Sequence, residues 1–278
     1  MKRFLPLLIA LILAAPALRG GDDKAPAYEV EVVKDVAYNG AADADAERHK
    51  LDLYLPRGAK GYPVLFFIHG GGWNKGKKDG FAAHGRAFAR QGIGFVATNY
   101  RLTPVVKHPG HVEDVAQAFA WCHANLGKRG ADVKQMFVSG HSAGGHLCAL
   151  LATDEGYLKR HKLSLSDIKG VIPISGVFDV SGERLADRFG EDGKKASPMS
   201  HLKGNLPPFL VFYADKELGA LGKQAEAFAK AAKALKCDVE VKMIKDRDHG
   251  TIMRNAAKPD DEVSQAMVAF IRKHSGAR

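Results

Sequence analysis

The chain has 278 residues, of which 46% are hydrophobic, and its 41 Lys and Arg against 31 Asp and Glu give a formal net charge of +10. This length and apolar content suffice for one sizeable core, and no internal repeat or low-complexity tract indicates a solenoid or a disordered chain. No nucleic-acid-binding motif accompanies the positive charge, so binding to nucleic acid is not expected.

The first twenty residues have the features of an export signal. Two basic residues precede an apolar stretch at positions 4–15, and residues 15–17 have the small side chains of a cleavage site. Because the apolar stretch is short for a bilayer span, cleavage is favoured over a retained anchor. We therefore predict a signal peptide at residues 1–20 and a single exported domain at residues 21–278. This domain would be periplasmic or secreted, with no stable membrane insertion after cleavage.

Patterns typical of strands follow along the chain. Residues 28–33 and 51–56 alternate between apolar and polar side chains, which predicts two strands with one face in water. Later runs are continuously apolar, as in strands of a parallel sheet that are covered on both faces. These runs are residues 63–68, 93–97, 171–174 and 209–212, and further strands are predicted at 136–139 and 239–244.

Helical patterns separate the strands, at residues 81–91, 111–126, 145–152, 224–235 and 262–274. The alternation of strands and helices predicts an α/β fold, with a mostly parallel sheet and helices on both of its faces. Functional sites in such sheets lie at the carboxyl ends of the strands. Residues 181–206 are polar and irregular, and they are the one stretch that could cover such a site, so any lid is expected to be small.

One serine has the sequence context of an activated nucleophile. Ser142 lies in the run Gly140-His141-Ser142-Ala143-Gly144, between a predicted strand and a predicted helix. A serine on a sharp strand-to-helix turn presents its hydroxyl above the sheet edge, and small neighbours let the backbone turn without clashes. Ser142 is therefore the candidate nucleophile.

A base and an acid can be assigned to that serine. His249 lies in a loop after the last predicted strand, where it could act as general base and then protonate a leaving group. The acid should come between the two, after a strand, and both Asp215 and Glu217 meet this condition. Either carboxylate could accept the ring N–H of His249 and fix its tautomer, and spacing alone does not decide between them.

A glycine-rich segment supplies the remaining part of an acyl-transfer site. His69-Gly70-Gly71-Gly72-Trp73 directly follows the strand predicted at 63–68. Successive glycines can turn their amides toward one point, and acyl transfer needs such donors for the developing oxyanion. The amide of Ala143, at the start of the helix after Ser142, is a natural further donor.

Four motifs in this order resemble those of α/β-hydrolase esterases of the hormone-sensitive-lipase and feruloyl-esterase-like type. The resemblance covers roughly residues 28–273. The motifs are His69-Gly70-Gly71-Gly72-Trp73, Asn99-Tyr100-Arg101-Leu102, Gly140-His141-Ser142-Ala143-Gly144-Gly145 and Asp248-His249.

The resemblance implies the α/β-hydrolase fold with an eight-stranded sheet, a Ser–acid–His triad, and an oxyanion hole from Gly71, Gly72 and Ala143. Members of this family place the acid three residues after the Gly or Ala that ends its strand. That position here is Glu217, where Asp is usual. Glu217 is therefore the favoured acid, and Asp215 is the runner-up.

Other candidate residues are assigned structural or pocket roles. His141 and His146 flank the serine, but no carboxylate or cysteine cluster accompanies them, so we expect them to pack around the turn and expect no metal or cofactor. Trp73 is interpreted as a wall of the acyl or alcohol pocket, with a core role as the alternative. Arg101 and Asp114 are expected to pair and to brace the nucleophile region.

The sequence thus predicts an exported serine carboxylesterase that acts on short-acyl or aryl esters through an acyl-enzyme. Its partner would be a small ester or an acylated carbohydrate, such as an acetylated or feruloylated polysaccharide. An amide hydrolase of the arylformamidase type is the alternative enzyme. A carbohydrate-binding protein on an inactive hydrolase scaffold is disfavoured, because all parts of the site are present. No oligomeric state is predicted.

Overall fold

A computed structural model describes residues 27–276, and the predicted signal peptide lies outside the described residues. Eight strands form one sheet in the order β1-β2-β4-β3-β5-β6-β7-β8. The strands are β1 (Val30–Ala37), β2 (Lys50–Pro56), β3 (Tyr62–Ile68), β4 (Gly94–Thr98), β5 (Ala131–His141), β6 (Gly170–Ile174), β7 (Phe209–Lys216) and β8 (Val239–Asp248).

Eight α-helices connect or follow the strands, together with short 3₁₀ turns. The α-helices are α1 (Ala82–Arg90), α2 (Gly110–Asn125), α3 (Ala143–Thr153), α4 (Gly156–Lys159), α5 (Ala186–Phe189), α6 (Leu221–Ala234), α7 (Thr251–Asn255) and α8 (Glu262–Ser275). The 3₁₀ turns are Lys78–Phe81, Leu126–Arg129, Leu165–Asp167, Glu183–Leu185, Gly190–Gly193 and Pro198–His201. Within residues 27–276, no helix is long and apolar enough to span a membrane.

The sheet is parallel except at one edge. β1 pairs with β2 and β2 pairs with β4 in antiparallel fashion, and the remaining neighbours are parallel. An apolar core lies on each face of the sheet. Phe119 of α2 and Phe228 of α6 belong to one core, whereas Phe88 of α1 and Phe270 of α8 belong to the other. The predicted eight-stranded, mostly parallel α/β fold with helices on both faces is confirmed.

The expectation that β2 has a face in water is wrong. All of its residues after Lys50 are buried, and Asp52 is fully inaccessible to solvent. The Asp52 carboxylate lies 2.7 Å from the Nζ of Lys34 and 2.7 Å from the Nζ of Lys78. The sequence of β2 alternates because Asp52 is charged, but Asp52 does not face solvent. The two lysines compensate its charge inside the protein.

The topology brings the chemically interesting residues to one edge of the sheet. β3, β5, β6, β7 and β8 are parallel, so their carboxyl ends lie side by side. The glycine-rich segment follows β3, Ser142 follows β5, and His249 follows β8. This edge is the place where a site in such a sheet is expected.

Residues 181–206 form a small lid of short helical turns around α5, as predicted from their polar composition. The Phe189 ring, 2% exposed, packs edge-on against the indole of Trp73 with the ring centroids 4.9 Å apart. The Arg188 Nε donates to the carbonyl of Gly72 at 2.7 Å, and the carbonyl of Ala196 lies 2.8 Å from the Nε2 of His146. The lid is therefore fastened to the segments around the site.

Candidate active site

Ser142 lies between β5 and α3 on a strained turn. Its φ of 56° and ψ of −117° are uncommon for a residue with a side chain. Two backbone hydrogen bonds hold this turn, because the Ser142 N–H donates to Ile174 at 2.9 Å and the His146 N–H donates to the Ser142 carbonyl at 3.0 Å. The surrounding structure thus fixes the serine in a conformation typical of a nucleophile between strand and helix.

Glycines let the backbone segments around this turn approach one another. A Cβ on Gly140 would lie 2.3 Å from the carbonyl oxygen of Gly144, and a Cβ on Gly144 would lie 2.0 Å from that of Ile68. Contacts this short do not occur between real atoms, so a side chain at either position would push α3 away from the sheet. The two glycines of the motif are therefore required by the geometry of the turn.

Glu217 and His249 are joined directly. The Glu217 Oε1 lies 2.5 Å from the Nδ1 of His249, and the Glu217 side chain is 5% exposed. The other carboxylate oxygen, Oε2, accepts hydrogen bonds from the Ser175 hydroxyl at 2.5 Å and from the Ala214 N–H at 3.2 Å. This arrangement holds the proton on Nδ1 and leaves Nε2 of His249 as the basic nitrogen.

Asp215, the runner-up acid, makes different contacts. Its carboxylate accepts hydrogen bonds from the backbone N–H groups of Asp246 at 2.9 Å and Arg247 at 3.0 Å, and it is exposed to solvent. The side chain thus fastens the end of β7 to the end of β8. The structure brings Glu217, and not Asp215, to His249.

The Glu217 carboxylate is held in its charged form. Burial alone would raise its pKa, but the hydrogen bonds from His249, Ser175 and the Leu218 and Ala214 amides outweigh that effect and lower the pKa from 4.5 to about 2. The carboxylate is therefore ionised throughout the neutral range, where it can stabilise a positive charge that develops on His249.

His141 links the serine turn to the loop of His249. Its ring lies 4.7 Å from the His249 ring, centroid to centroid, and its Nε2 is 2.7 Å from the His249 carbonyl oxygen. A carbonyl only accepts, so Nε2 carries the proton. Burial lowers the pKa of His141 to about 4, which keeps the ring neutral. The sequence predicts only a packing role for His141. This prediction misses the contact with His249, because the two residues are 108 positions apart along the chain.

Two carbonyls of the glycine-rich segment accept hydrogen bonds, and these bonds fix the direction of the neighbouring amides. The Gly70 carbonyl accepts from Nδ1 of His69 at 2.8 Å, and the Gly71 carbonyl accepts from the Lys75 N–H at 3.0 Å. Each carbonyl points away from the N–H of the same trans peptide, so these bonds turn the amides of Gly71 and Gly72 the opposite way. Within residues 27–276, neither of these amides donates to another group.

This segment lies directly against the serine. A Cβ on Gly70 would approach the Cβ of Ser142 to 3.1 Å. The Ala143 amide, at the first residue of α3, also has no backbone acceptor among the described residues, as is usual at a helix start. Amides without an acceptor next to a candidate nucleophile are the kind of donor that a tetrahedral oxyanion needs, so the oxyanion hole of Gly71, Gly72 and Ala143 stays a prediction that this geometry allows.

Trp73 is both buried and part of a pocket wall. Its indole is 4% exposed, and its Nε1 donates to Nδ1 of His146 at 3.2 Å. The same residue lines a pocket of about 660 Å³ together with Val177, Leu185 and Leu221. Its burial agrees with a core role, and its part in the substrate pocket stays a prediction, because neither Ser142 nor His249 is among the residues that line this pocket.

Arg101 and Asp114 form the expected pair. The guanidinium Nε lies 2.9 Å from one carboxylate oxygen and Nη2 lies 2.6 Å from the other, while the Arg101 N–H also donates to Asp114 at 2.8 Å. The pair fixes the loop after β4 to α2. Among residues 27–276, no cluster of three or more His, Cys, Asp or Glu side chains is arranged to hold a metal ion.

Replacing Gly71 with alanine is expected to damage both stability and activity. The new Cβ would lie 2.2 Å from the Lys75 carbonyl oxygen, at a φ of +119° that disfavours any side chain. Since the Gly71 amide is an expected oxyanion donor, its displacement should lower kcat by about 10²- to 10³-fold. Gly80→Ala is the matched control, because a Cβ there meets nothing within 4 Å. Retention of full kcat by Gly71→Ala would exclude this segment from the oxyanion hole.

Stability is expected to fall as the pH is lowered from 6.5. Burial lowers the pKa of His146 to about 3 and that of His69 and His111 to about 4. In the unfolded chain these side chains are protonated below about pH 6.5, so acid stabilises the unfolded state relative to the folded one. For His146 alone, the loss by pH 4 should be on the order of 3 kcal/mol. Glu217 adds a further loss below pH 4.5.

Urea denaturation at pH 7.5, 5.5 and 4.0 measures this dependence. His146→Gln should reduce the decline between pH 6.5 and 4, because glutamine does not titrate. A free energy of unfolding that is the same at pH 7.5 and 4.0 would contradict the prediction.

Comparisons with known proteins relate this chain to esterases. Residues 51–188 match the family model described as BD-FAE. Esterase LipC from Mycobacterium tuberculosis is 33% identical over 197 residues, which are 62% of this chain and 49% of that protein. The probable isoprenylcysteine alpha-carbonyl methylesterase ICME from Oryza sativa subsp. japonica is 33% identical over 218 residues, 74% of this chain and 51% of that protein. The chain spans about half the length of these curated relatives.

A solved structure extends the similarity over most of the chain. The thermophilic esterase Est2 from the Planctomycetes species Thermogutta terrifontis superposes with a TM-score of 0.72 at 26% identity. The match covers 89% of this chain and 92% of that one.

Proposed function

Because this chain belongs to the α/β-hydrolase esterases and carries a BD-FAE domain, we propose that it is a serine carboxylesterase. The single observation that supports the proposal most is the 2.5 Å contact between Glu217 and His249 beside the strained turn of Ser142. A charged carboxylate, an oriented imidazole and a serine on such a turn are the parts of an acyl-transfer triad.

In the proposed reaction, the Ser142 hydroxyl attacks the ester carbonyl while Nε2 of His249 takes its proton. The oxyanion accepts hydrogen bonds from the amides of Gly71, Gly72 and Ala143. The intermediate then collapses, the C–O bond to the alcohol breaks, and His249 gives its proton to the departing oxygen. Water then attacks the acyl-enzyme while Nε2 of His249 takes its proton. The second intermediate collapses, His249 returns the proton to the Ser142 oxygen, and the carboxylic acid departs.

Glu217 and the free amides supply the electrostatic part of the proposed catalysis. The imidazolium that forms twice in each cycle lies against the charged carboxylate of Glu217, whose pKa of about 2 keeps it ionised. The free amides are already oriented before the reaction, because the carbonyls of the same loop are held by other groups. Preorganised dipoles of this kind stabilise the transition state without rearrangement.

We take the pocket beside Trp73 as the substrate pocket, because Trp73 directly follows the glycine-rich segment that lies against Ser142. Its lining favours a short acyl or aryl ester with a hydroxylated alcohol part. Trp73, Val177 and Leu221 give the 660 Å³ pocket an apolar wall, and Asp179 and Gln224 give it polar groups. An apolar wall suits the acyl or aryl group, whereas the polar groups suit alcohol hydroxyls. Acetyl or feruloyl esters of polysaccharide combine both properties. Export through the signal peptide at residues 1–20, also part of the proposal, would bring the enzyme to such substrates.

The proposal is tested by comparing ester and amide substrates of matched acyl groups. A p-nitrophenyl series from acetate to octanoate, acetylated xylan and a methyl ferulate standard are assayed beside a formyl-arylamide. We expect turnover of the short esters and much slower cleavage of the amide, whose leaving group is poorer. Faster cleavage of the amide would replace the esterase by an amide hydrolase of the arylformamidase type. Binding of xylan without turnover of any ester would indicate an inactive scaffold.

A further inference from the structure

Ser175 occupies an unusual position at the end of β6. The residue is 1% exposed and has a φ of +47°, which a residue with a side chain adopts at a cost. Its N–H donates to the Phe212 carbonyl at 2.8 Å, which fastens it to the neighbouring strand β7. Its hydroxyl lies 2.5 Å from Oε2 of Glu217. A strained, buried serine thus donates its side-chain hydroxyl to one carboxylate oxygen.

The contacts of that carboxylate divide evenly between its two oxygens. Oε1 contacts His249 and accepts from the Leu218 N–H at 2.9 Å, and Oε2 accepts from Ser175 and from the Ala214 N–H at 3.2 Å. Four donors fill the acceptor positions of a carboxylate. Ala214 at the end of β7 and Leu218 after Glu217 are within three residues of Glu217 along the chain, whereas Ser175 is 42 residues away.

A second strand therefore anchors the plane of the carboxylate. A glutamate side chain has three rotatable bonds, and its terminal carboxyl torsion is broad. The two backbone donors come from the same short stretch of chain as Glu217 and do not tie its carboxylate to another part of the sheet. The Ser175 hydroxyl, at a buried site directly after β6, does so by binding the oxygen that does not contact His249.

We infer that Ser175 is a positioning residue, which acts on the reaction by holding Glu217 in the orientation that His249 requires. The inference rests on the proposed triad. Ser175 contacts no reacting atom, so its loss should lower kcat and leave KM nearly unchanged. The loss should also depend on the presence of Glu217, because Ser175 acts through no other group.

Two substitutions distinguish the effect of losing the Ser175 hydroxyl from the effect of the strained backbone. Ser175→Gly removes the hydroxyl and relaxes the backbone, since glycine tolerates a φ of +47°. Ser175→Ala removes the hydroxyl and keeps the strain. Ser139→Ala is the matched control, because Ser139 is also fully buried and its hydroxyl donates to the Ile172 carbonyl at 2.7 Å, without contact to Glu217. Each is assayed for kcat and KM on p-nitrophenyl acetate.

We expect both Ser175 variants to lose kcat by about tenfold or more with KM within twofold, while Ser139→Ala keeps wild-type kcat. In the background of Glu217→Ala, Ser175→Gly should change kcat by less than twofold. An equal loss in both backgrounds, or full kcat in Ser175→Gly, would overturn the inference. If Ser175→Ala does not fold, Ser175→Gly alone decides, because its backbone is the less strained of the two.

A measurement independent of turnover distinguishes this inference from the proposed function. The proton between Nδ1 of His249 and Glu217, which are 2.5 Å apart, is expected to give a far-downfield proton resonance in NMR spectra of the resting protein. Ser175→Gly should shift or broaden this resonance, and Ser139→Ala should not. An unchanged resonance in Ser175→Gly contradicts the positioning role. Wild-type protein that shows the resonance but hydrolyses no ester would instead contradict the proposed function.

Discussion

Replacement of Ser142 with alanine is expected to lower kcat on p-nitrophenyl acetate by about 10⁴-fold or more. Alanine lacks the oxygen that forms the acyl bond, so only the amides of the oxyanion loop and substrate binding remain to assist water. The protein should still fold, because the backbone bonds that hold the turn do not involve the hydroxyl. A fluorophosphonate probe should add its mass to the wild-type protein and not to Ser142→Ala.

An exposed serine supplies the control for this experiment. Ser166 lies in the 3₁₀ turn Leu165–Asp167 and is accessible to solvent, so Ser166→Ala should label and turn over substrate as the wild type does. Equal labelling of Ser142→Ala and wild type would show that another residue is the nucleophile. In that case the strained turn would need a different explanation.

Glu217→Gln is expected to lower kcat by about 10³- to 10⁴-fold, whereas Asp215→Asn should change it by no more than a few-fold. Glutamine is neutral, so it cannot stabilise the imidazolium, and its NH₂ can force His249 into the wrong tautomer. Asp215 contacts the backbone of Asp246 and Arg247 and makes no contact with His249, so its neutral analogue affects the junction of β7 and β8 instead.

The two isosteric substitutions control for each other, because each removes one negative charge at the carboxyl end of β7. The pair is assayed for kcat across pH 6 to 9 and for thermal stability. If Asp215→Asn lost as much kcat as Glu217→Gln with unchanged stability, the acid assignment would be reversed. If neither substitution affected kcat, the acid would lie elsewhere.

The sheet could be predicted from the sequence because its strands are short apolar runs separated by helical periodicity. The choice of Glu217 over Asp215 comes from the family resemblance and not from the spacing of the residues, because it depends on how β7 ends. The pairing of β7 with β8 is regular up to Ala214 and then shifts before Lys216. That irregularity turns Asp215 toward the amides of β8 and Glu217 toward His249. Spacing along the chain does not encode such a shift, so both carboxylates remained eligible.

Ser175 and His141 show a second limit of the sequence. No sequence motif indicates that Ser175 contacts Glu217 or that His141 contacts His249, since these partners lie 42 and 108 residues away along the chain. The one available signal for Ser175 is its position directly after an apolar strand, at the edge where sites in parallel sheets occur. Asp52 was misinterpreted for the same reason, because the lysines that compensate it come from other segments.

The attachment of the lid has a consequence for how substrate reaches Ser142. Arg188 binds the carbonyl of Gly72, Phe189 packs on Trp73, and Ala196 lies against His146. Because the covering segment is fastened at three points, we expect it to stay in place during turnover and dissolved substrate to reach Ser142 without a lid movement. The rate should then follow simple saturation with dissolved ester, and an oil–water interface should bring no activation of the kind seen when a lipase lid lifts.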